Sequence, residues 1–209
     1  MLDFTTPSDK PDFKLPFTEQ IEFMRQKLNI PSNRWDDIVH DQHDAGFIVA
    51  GAAKWDLLAD LRAAVQIAIE QGKSIGWFRK EFDNITANRG WVGFTGDGSK
   101  AGRAWRTRVI YQTNAATSYS AGRYAQIYDP EMLKRRPFLI YRHHTFEHPR
   151  LSHKSWNGLC LRADDPSWGW RYPPNVLVVI ARSIPPVIAI WCAWVKPALI
   201  RRRPGLGLA

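Results

Sequence analysis

Residues 103–128 constrain the fold of this chain more than any other stretch. Two apolar stripes run side by side through them at helical spacing: Trp105, Val109, Ala116 and Tyr119 form one, and Ile110, Thr117, Ala121 and Tyr124 form its neighbour. A helix that is apolar on two adjacent faces needs cover on both, which places it at the centre of a core. Arg103, Arg106 and Arg108 crowd its first turns. Cations there oppose the helix dipole by a few tenths of a kcal/mol each. An acidic neighbour is therefore expected, from the first half of the chain or from a partner.

Shorter helical signals precede it. Residues 1–16 are polar and marked by Pro7, Pro11 and Pro16, and they read as an extended arm. From Phe17 onward the spacing predicts a helix capped by Thr18, with Ile21, Met24 and Leu28 on one face and Pro31 as its stop. Ser32 or Asn33 can cap a second helix whose apolar positions are Trp35, Ile38, Val39 and Phe47. The third pattern is the clearest: Leu57, Leu58, Leu61, Val65, Ala68 and Ile69 recur at 3.6-residue spacing, with Asp56 or Asp60 in the first turn and Gly72 at the stop. Ser74 then caps a short helix that buries Ile75, Phe78 and Phe82. Residues 90–102 form a loop with five glycines. Such a loop before a helix can hold phosphate on backbone amides, but its spacing matches neither GxxxxGK[ST] nor GxGxxG.

After Pro130 the texture changes. Phe138-Leu139-Ile140-Tyr141 is short and β-prone, and it reads as a strand. The chain beyond Tyr141 is rich in His, Pro, Trp and Gly. The expected fold class is α+β: a mostly helical part over 17–128, packed against a small, loop-rich α+β unit over 129–175, with an atypical apolar-basic tail over 176–209.

Net charge is +9, but residues 1–100 carry −3 and residues 101–209 carry +12. The basic half suits a polyanion, either nucleic acid or an acidic protein face, and Arg103, Arg106, Arg108 and Arg123 are its candidate contacts. Solubilising charge explains the same excess without a partner. Cys160 and Cys192 are the only cysteines, which excludes a disulfide-rich scaffold and a four-thiolate zinc site. Met1-Leu2-Asp3-Phe4 lacks the basic and then apolar order of a secretory signal, so a cytosolic start is expected.

Four of the six histidines, His143, His144, His148 and His153, cluster with Glu147. Neutral imidazoles can bind zinc, and a His/Glu pair beside Arg142 or Arg150 could do general acid–base work in a nuclease. The spacing is not the i, i+4 of a helical HExxH, so structural hydrogen bonding is the expected role. No metal, no cofactor and no catalytic residue is assigned. His143, His148, Arg150, His153 and Trp156 remain a candidate functional cluster. Cys160, in Gly158-Leu159-Cys160-Leu161, reads as a buried apolar position. The ten tryptophans include Trp168-Gly169-Trp170-Arg171, where aromatic and basic side chains interleave. Such runs can stack bases and hold phosphates, and they are also enriched at the centres of protein interfaces.

An ordered series of segments runs from Arg34-Trp35-Asp36-Asp37, through Leu57-Leu58-Ala59-Asp60-Leu61-Arg62 and Gly102-Arg103-Ala104-Trp105-Arg106-Thr107-Arg108, to Ser118-Tyr119-Ser120-Ala121-Gly122-Arg123. It continues in Tyr141-Arg142-His143, His148-Pro149-Arg150, His153, Trp156-Asn157-Gly158, Asp165-Pro166 and Tyr172-Pro173-Pro174-Asn175. Along residues 17–175 this resembles the Mu F-like minor head protein family of tailed phages, also called the phage head morphogenesis family. The resemblance implies a minor virion-head protein that is portal-associated, acts in head assembly or early DNA delivery and contacts other head proteins; no enzymatic activity is expected. It would be found in the virion head, and in the host cytoplasm during assembly. A basic half beside packaged DNA would make sequence-independent, salt-sensitive phosphate contacts. The rival reading is a nuclease-like or metal-dependent enzyme using the His143–His153 region.

The C-terminus departs from the family. There, Tyr-Pro-Pro-Asn usually runs into Gly-Trp-Gly-Cys-x-Cys, whereas here Asn175 is followed by Val176-Leu177-Val178-Val179-Ile180-Ala181. No acidic residue occurs in the last 44 positions, and a shift of reading frame after Asn175 would account for the change. A membrane span over 176–200 is interrupted by Arg182, Pro185, Pro186 and Lys196, so membrane association is not expected.

Overall fold

The structure, a computed structural model, describes residues 16–34, 37, 45–143 and 151–172, and the backbone of 181–184. Expectations for the arm, for Trp35, Ile38 and Val39, for His144, Glu147, His148 and Arg150, and for nearly all of the tail fall outside these residues.

Its elements are, in chain order, α1 (Thr18–Gln26), β1 (Leu28–Asn29), β2 (Gly46–Phe47), α2 (Trp55–Glu70), α3 (Ile75–Arg89), α4 (Lys100–Ile127), α5 (Pro130–Arg135), β3 (Phe138–His143), α6 (Leu151–Ser155), β4 (Cys160–Arg162), α7 (Trp168–Arg171) and β5 (Ala181–Ile184). The arrangement is mostly helical α+β, with two buried clusters joined by α4.

The larger cluster lies among α1–α4. Leu57, Leu58, Leu61, Ala64 and Val65 of α2 meet Phe78 and Phe82 of α3, Met24 of α1 and Ile110 of α4, with Phe47, Val49, Ala52 and Phe94 filling from loops and β2. Ser74 caps α3 by accepting from the Trp77 N–H at 3.4 Å, as its position predicts. This helix is longer than the short element expected, and it ends on Gly90 in the left-handed region at φ 60°. Arg89 ties α3 back to α2 through Asp60 at 2.6 Å and Asp56 at 2.8 Å.

Three readings of the N-terminal half need correction. Phe17, not Thr18, occupies the N-cap position of α1, with no side-chain cap. Leu28 is 66% exposed, because α1 ends first and Leu28 enters β1. Phe47 is buried on β2, a strand pairing parallel to β1, rather than on a helix.

The face that α4 buries is also not the predicted one. Trp105, Val109, Tyr119 and Tyr124 lie partly in solvent. The buried seam is Arg106, Thr107, Ile110, Asn114, Ser118, Gly122 and Ile127. The reason is the approach of α1. A methyl group on Gly122 would sit 2.7 Å from the Gln20 nitrogen and 2.8 Å from Phe17 Cζ. Gln20 Nε2 donates to Ser118 Oγ at 3.1 Å and to the Ala115 carbonyl at 3.2 Å. Helices packed this closely admit only small side chains, so the large aromatics are turned outward.

The smaller cluster gathers Ile127, at the end of α4, with Leu139 and Tyr141 of β3, Ala163 and Trp168. Strand β3 is central in an antiparallel sheet of order β4-β3-β5. Leu139 pairs with Leu161, and Arg142 with Arg182, so the third strand comes from beyond Asn175. Cys160 is half-buried on β4 opposite Ile140.

Candidate functional site

The first candidate set is the arginine group at the head of α4. Arg103 donates to Asp83 at 2.8 Å and to Asp97 at 2.5 Å, and lies over the rings of Phe94 and Phe82. These are the acidic neighbours that the cation-rich helix start requires, and they come from the first half of the chain. The hydrogen bond with Asp83 raises the Arg103 pKa, against burial. Arg106 is buried over the Trp91 ring, donates to the Ala50 carbonyl, and has its pKa lowered by desolvation. Arg108 is exposed, and Arg123 donates to Gln126 at 2.8 Å. The four therefore do not form one patch. Two are absorbed into the fold, and Arg123 lies about 30 Å along the helix from Arg103 at 1.5 Å per residue.

The glycine loop explains part of this. Gly96 and Gly102 touch backbone to backbone: a Cβ on Gly96, at φ +97°, would stand 2.5 Å from the Gly102 carbonyl oxygen. Asp97 turns into the loop and accepts from the Gly93 N–H at 2.9 Å. An amide and a guanidinium that could have held a phosphate hold the chain's own carboxylate.

The second set lies in the sheet unit. Tyr141, fully buried on β3, meets Trp156 edge-on at 5.7 Å. Trp156 stacks on His153 at 5.0 Å and 24° and meets Trp170 at 5.4 Å. The Arg171 guanidinium lies 3.9 Å over the Trp170 ring and 5.4 Å from that of Trp156. Burial lowers the Arg171 pKa, and the charge of Asp165 opposes that shift.

The turn Trp156-Asn157-Gly158 positions the group. Asn157 Oδ1 accepts the His143 N–H at 3.0 Å, the Gly158 N–H donates to the Tyr141 carbonyl at 2.9 Å, and the Tyr141 N–H donates to Leu159 at 2.8 Å. Gly158 sits at φ +84°, which favours glycine. Trp168 Nε1 donates to the Arg162 carbonyl at 2.8 Å, and the Ser167 N–H to Asp165 at 2.9 Å.

Of the predicted cluster, His153 and Trp156 are thus brought into contact. His143 is held through its backbone by the same turn, and His148 and Arg150 fall outside the described residues. Trp170 and Arg171 complete the group, and their interleaving with Trp168 was the signal for them. Asn157 carries no signal by composition alone. Among the described residues no group of three or more His, Cys, Asp and Glu could hold a metal, and no helix is long and apolar enough to cross a membrane.

A family model described as "Phage Mu protein F like protein" matches residues 59–178. The chain is 34% identical over 152 residues to the "Mu-like prophage FluMu F protein" of Haemophilus influenzae, covering 71% of this chain and 36% of that protein. It is 31% identical over 175 residues to the "Putative capsid assembly protein F" of Escherichia phage Mu, covering 78% of this chain and 38% of that one. The chain therefore spans little more than a third of the length of these curated relatives. No solved structure matches it significantly.

Proposed function

The chain belongs to the Phage Mu protein F like family, and from that premise we propose that it acts in phage head morphogenesis, as a minor component of the virion head. The observation that carries this reading is the family match across 59–178, which takes in α4, β3 and β4. The relative named as a capsid assembly protein points the same way. On this reading the protein assembles in the host cytoplasm against the portal and other head proteins, and it makes sequence-independent contacts to packaged DNA. The +12 charge of residues 101–209 supports the DNA contact, which would weaken steeply with salt.

The role is taken to be non-enzymatic. What supports this is that His153 is buried and stacked on Trp156.

Peptide mass spectrometry on purified particles from the source strain tests the reading. Peptides from residues 17–172 are expected in the particle. Their absence from particles, with the protein present in the producing cell, would sink it as a head component. Changing His143, His148 and His153 to Ala is expected to alter folding or incorporation only. Loss of a measurable turnover in a folded variant would reverse the non-enzymatic assignment.

A further inference from the structure

The two faces of the β4-β3-β5 sheet are not equivalent. Side chains alternate along a strand. Leu139 and Tyr141 of β3 belong to the smaller cluster, so Phe138 and Ile140 stand on the opposite face. Ile140 is only 6% exposed, yet it belongs to neither buried cluster of the described residues. The register sets three residues in one row across that face: Ile184 of β5 opposite Ile140, and Ile140 opposite Cys160 of β4. Neighbouring strands lie about 4.8 Å apart, so Cys160 is roughly 10 Å from Ile184 along the row.

The chain leaves β5 at this row. Pro185 and Pro186 follow Ile184 and cannot donate to a ladder, which stops the strand there. Next comes Val187-Ile188-Ala189-Ile190-Trp191-Cys192-Ala193-Trp194-Val195, the longest uninterrupted apolar run in the sequence, closed by Lys196. A run of this kind needs cover. Cys160 is disulfide-bonded, and Cys192, inside the run, is the one other cysteine. Cys192 lies eight residues beyond Ile184, a length that spans up to about 26–29 Å when extended. The link is therefore long enough to cross the row to Cys160.

We propose that residues 187–195 dock, within the same chain, on the sheet face that carries Phe138, Ile140 and Cys160, with Cys192 bridged to Cys160. The segment then completes the small unit and covers its second face. This goes beyond the head assignment and does not depend on it. The bridge forms by two exchanges with a small disulfide such as oxidised glutathione. One cysteine thiolate attacks it and expels a glutathione thiolate. The other cysteine thiolate attacks the mixed disulfide and expels the second. The two protein thiols lose two electrons to the glutathione disulfide, and their two protons end on the two glutathione thiols. In a reducing compartment, apolar contact alone holds the segment in place.

The test uses the full chain, equilibrated with graded mixtures of reduced and oxidised glutathione, once folded and once in concentrated urea. Remaining thiols are alkylated, and the linked peptides are mapped by mass spectrometry. A Cys160–Cys192 pair is expected in the monomer. Its equilibrium constant should be at least about tenfold higher in the folded chain than in urea, where loop closure alone acts. Ile188→Asp together with Ile190→Asp should lower the folded value to that in urea. Neither residue belongs to the described clusters, so the helical circular dichroism should stay as in the parent.

Equal constants in the folded chain and in urea overturn the docking, and this comparison in the parent decides even if the double variant loses its helical signal. A folded-state preference that survives the double substitution overturns it too, because the apolar run is then not what brings Cys192 to the sheet. Cys160 linked only between copies, seen as a dimer on a non-reducing gel, overturns it in favour of a second chain on the same face.

Discussion

In the helical body, Met24, Leu58, Leu61, Val65, Phe78 and Phe82 are withdrawn entirely from water, and they come from three helices. In the sheet unit the buried set is smaller, and hydrogen bonds close it: Tyr128 Oη to the Ala163 carbonyl at 2.8 Å, Trp168 Nε1 to Arg162, and the Asn157 turn on β3. The body has the larger share of non-directional burial, which tolerates variation in shape while volume is kept, beside the ion pairs of Arg89 and Arg103. The unit adds directional contacts that fix particular side chains in particular orientations. The two clusters are joined by one long helix, α4.

The largest expected effect breaks the body. Phe82→Ala removes a fully buried ring that packs on Phe78, Trp91 and Phe94, and should cost about 3–5 kcal/mol in urea unfolding. Hydrogen exchange sharpens the contrast: α3 amides should lose more protection than the Tyr141 and Gly158 amides of the sheet unit. An equal loss in both would mean that α4 couples the two cores into one cooperative unit.

A smaller effect is expected at the seam. Gly122→Ala forces its methyl against the α1 backbone and should cost about 1–3 kcal/mol in thermal unfolding, with faster exchange in α1. An unchanged melting temperature would show that α1 is not seated on Gly122.

The smallest effect is confined to the unit and to alkaline pH. Burial, with lesser contributions from Tyr124 and Asp164, pushes the Tyr128 phenol up to about 12. Folded Tyr128 therefore holds its proton more tightly than the unfolded chain, whose tyrosines ionise at about 10. The stability it contributes is complete below that unfolded value and is lost as pH rises through the folded one. Tyrosinate absorbance should show Tyr128 ionising late, and the sheet unit should lose protection above about pH 10 before the body does. Tyr128→Phe should flatten that response, and a slope unchanged by the substitution would place the pH sensitivity elsewhere.

Much of the body was legible beforehand. The Leu57–Leu58–Leu61–Val65 spacing, the Ser74 cap and the glycines at helix ends act within one or two turns, so sequence distance stands in for space. Strand β3 was legible for the same reason, though it runs on to His143. The orientation of α4 was not. Hydrophobicity alone ranks Trp105 and Tyr119 as inward, but the closeness of α1 selects Ser118 and Gly122. That closeness is a relation between residues about a hundred positions apart.

The candidate site divides in the same way. The residue types, Trp170 beside Arg171 and His153 near Trp156, could be read from the chain. That Arg103 and Arg106 would be consumed by Asp83, Asp97 and the Ala50 carbonyl could not. The sequence by itself determined the helical character of α2, α3 and α4, that the basic charge lies in the second half, and which family the order of motifs resembles. The tertiary structure decided which arginines are spent inside and which aromatics face water. A charge is neutralised, and a ring is buried, by whatever lies within a few ångströms, and that neighbour is set by packing between distant segments.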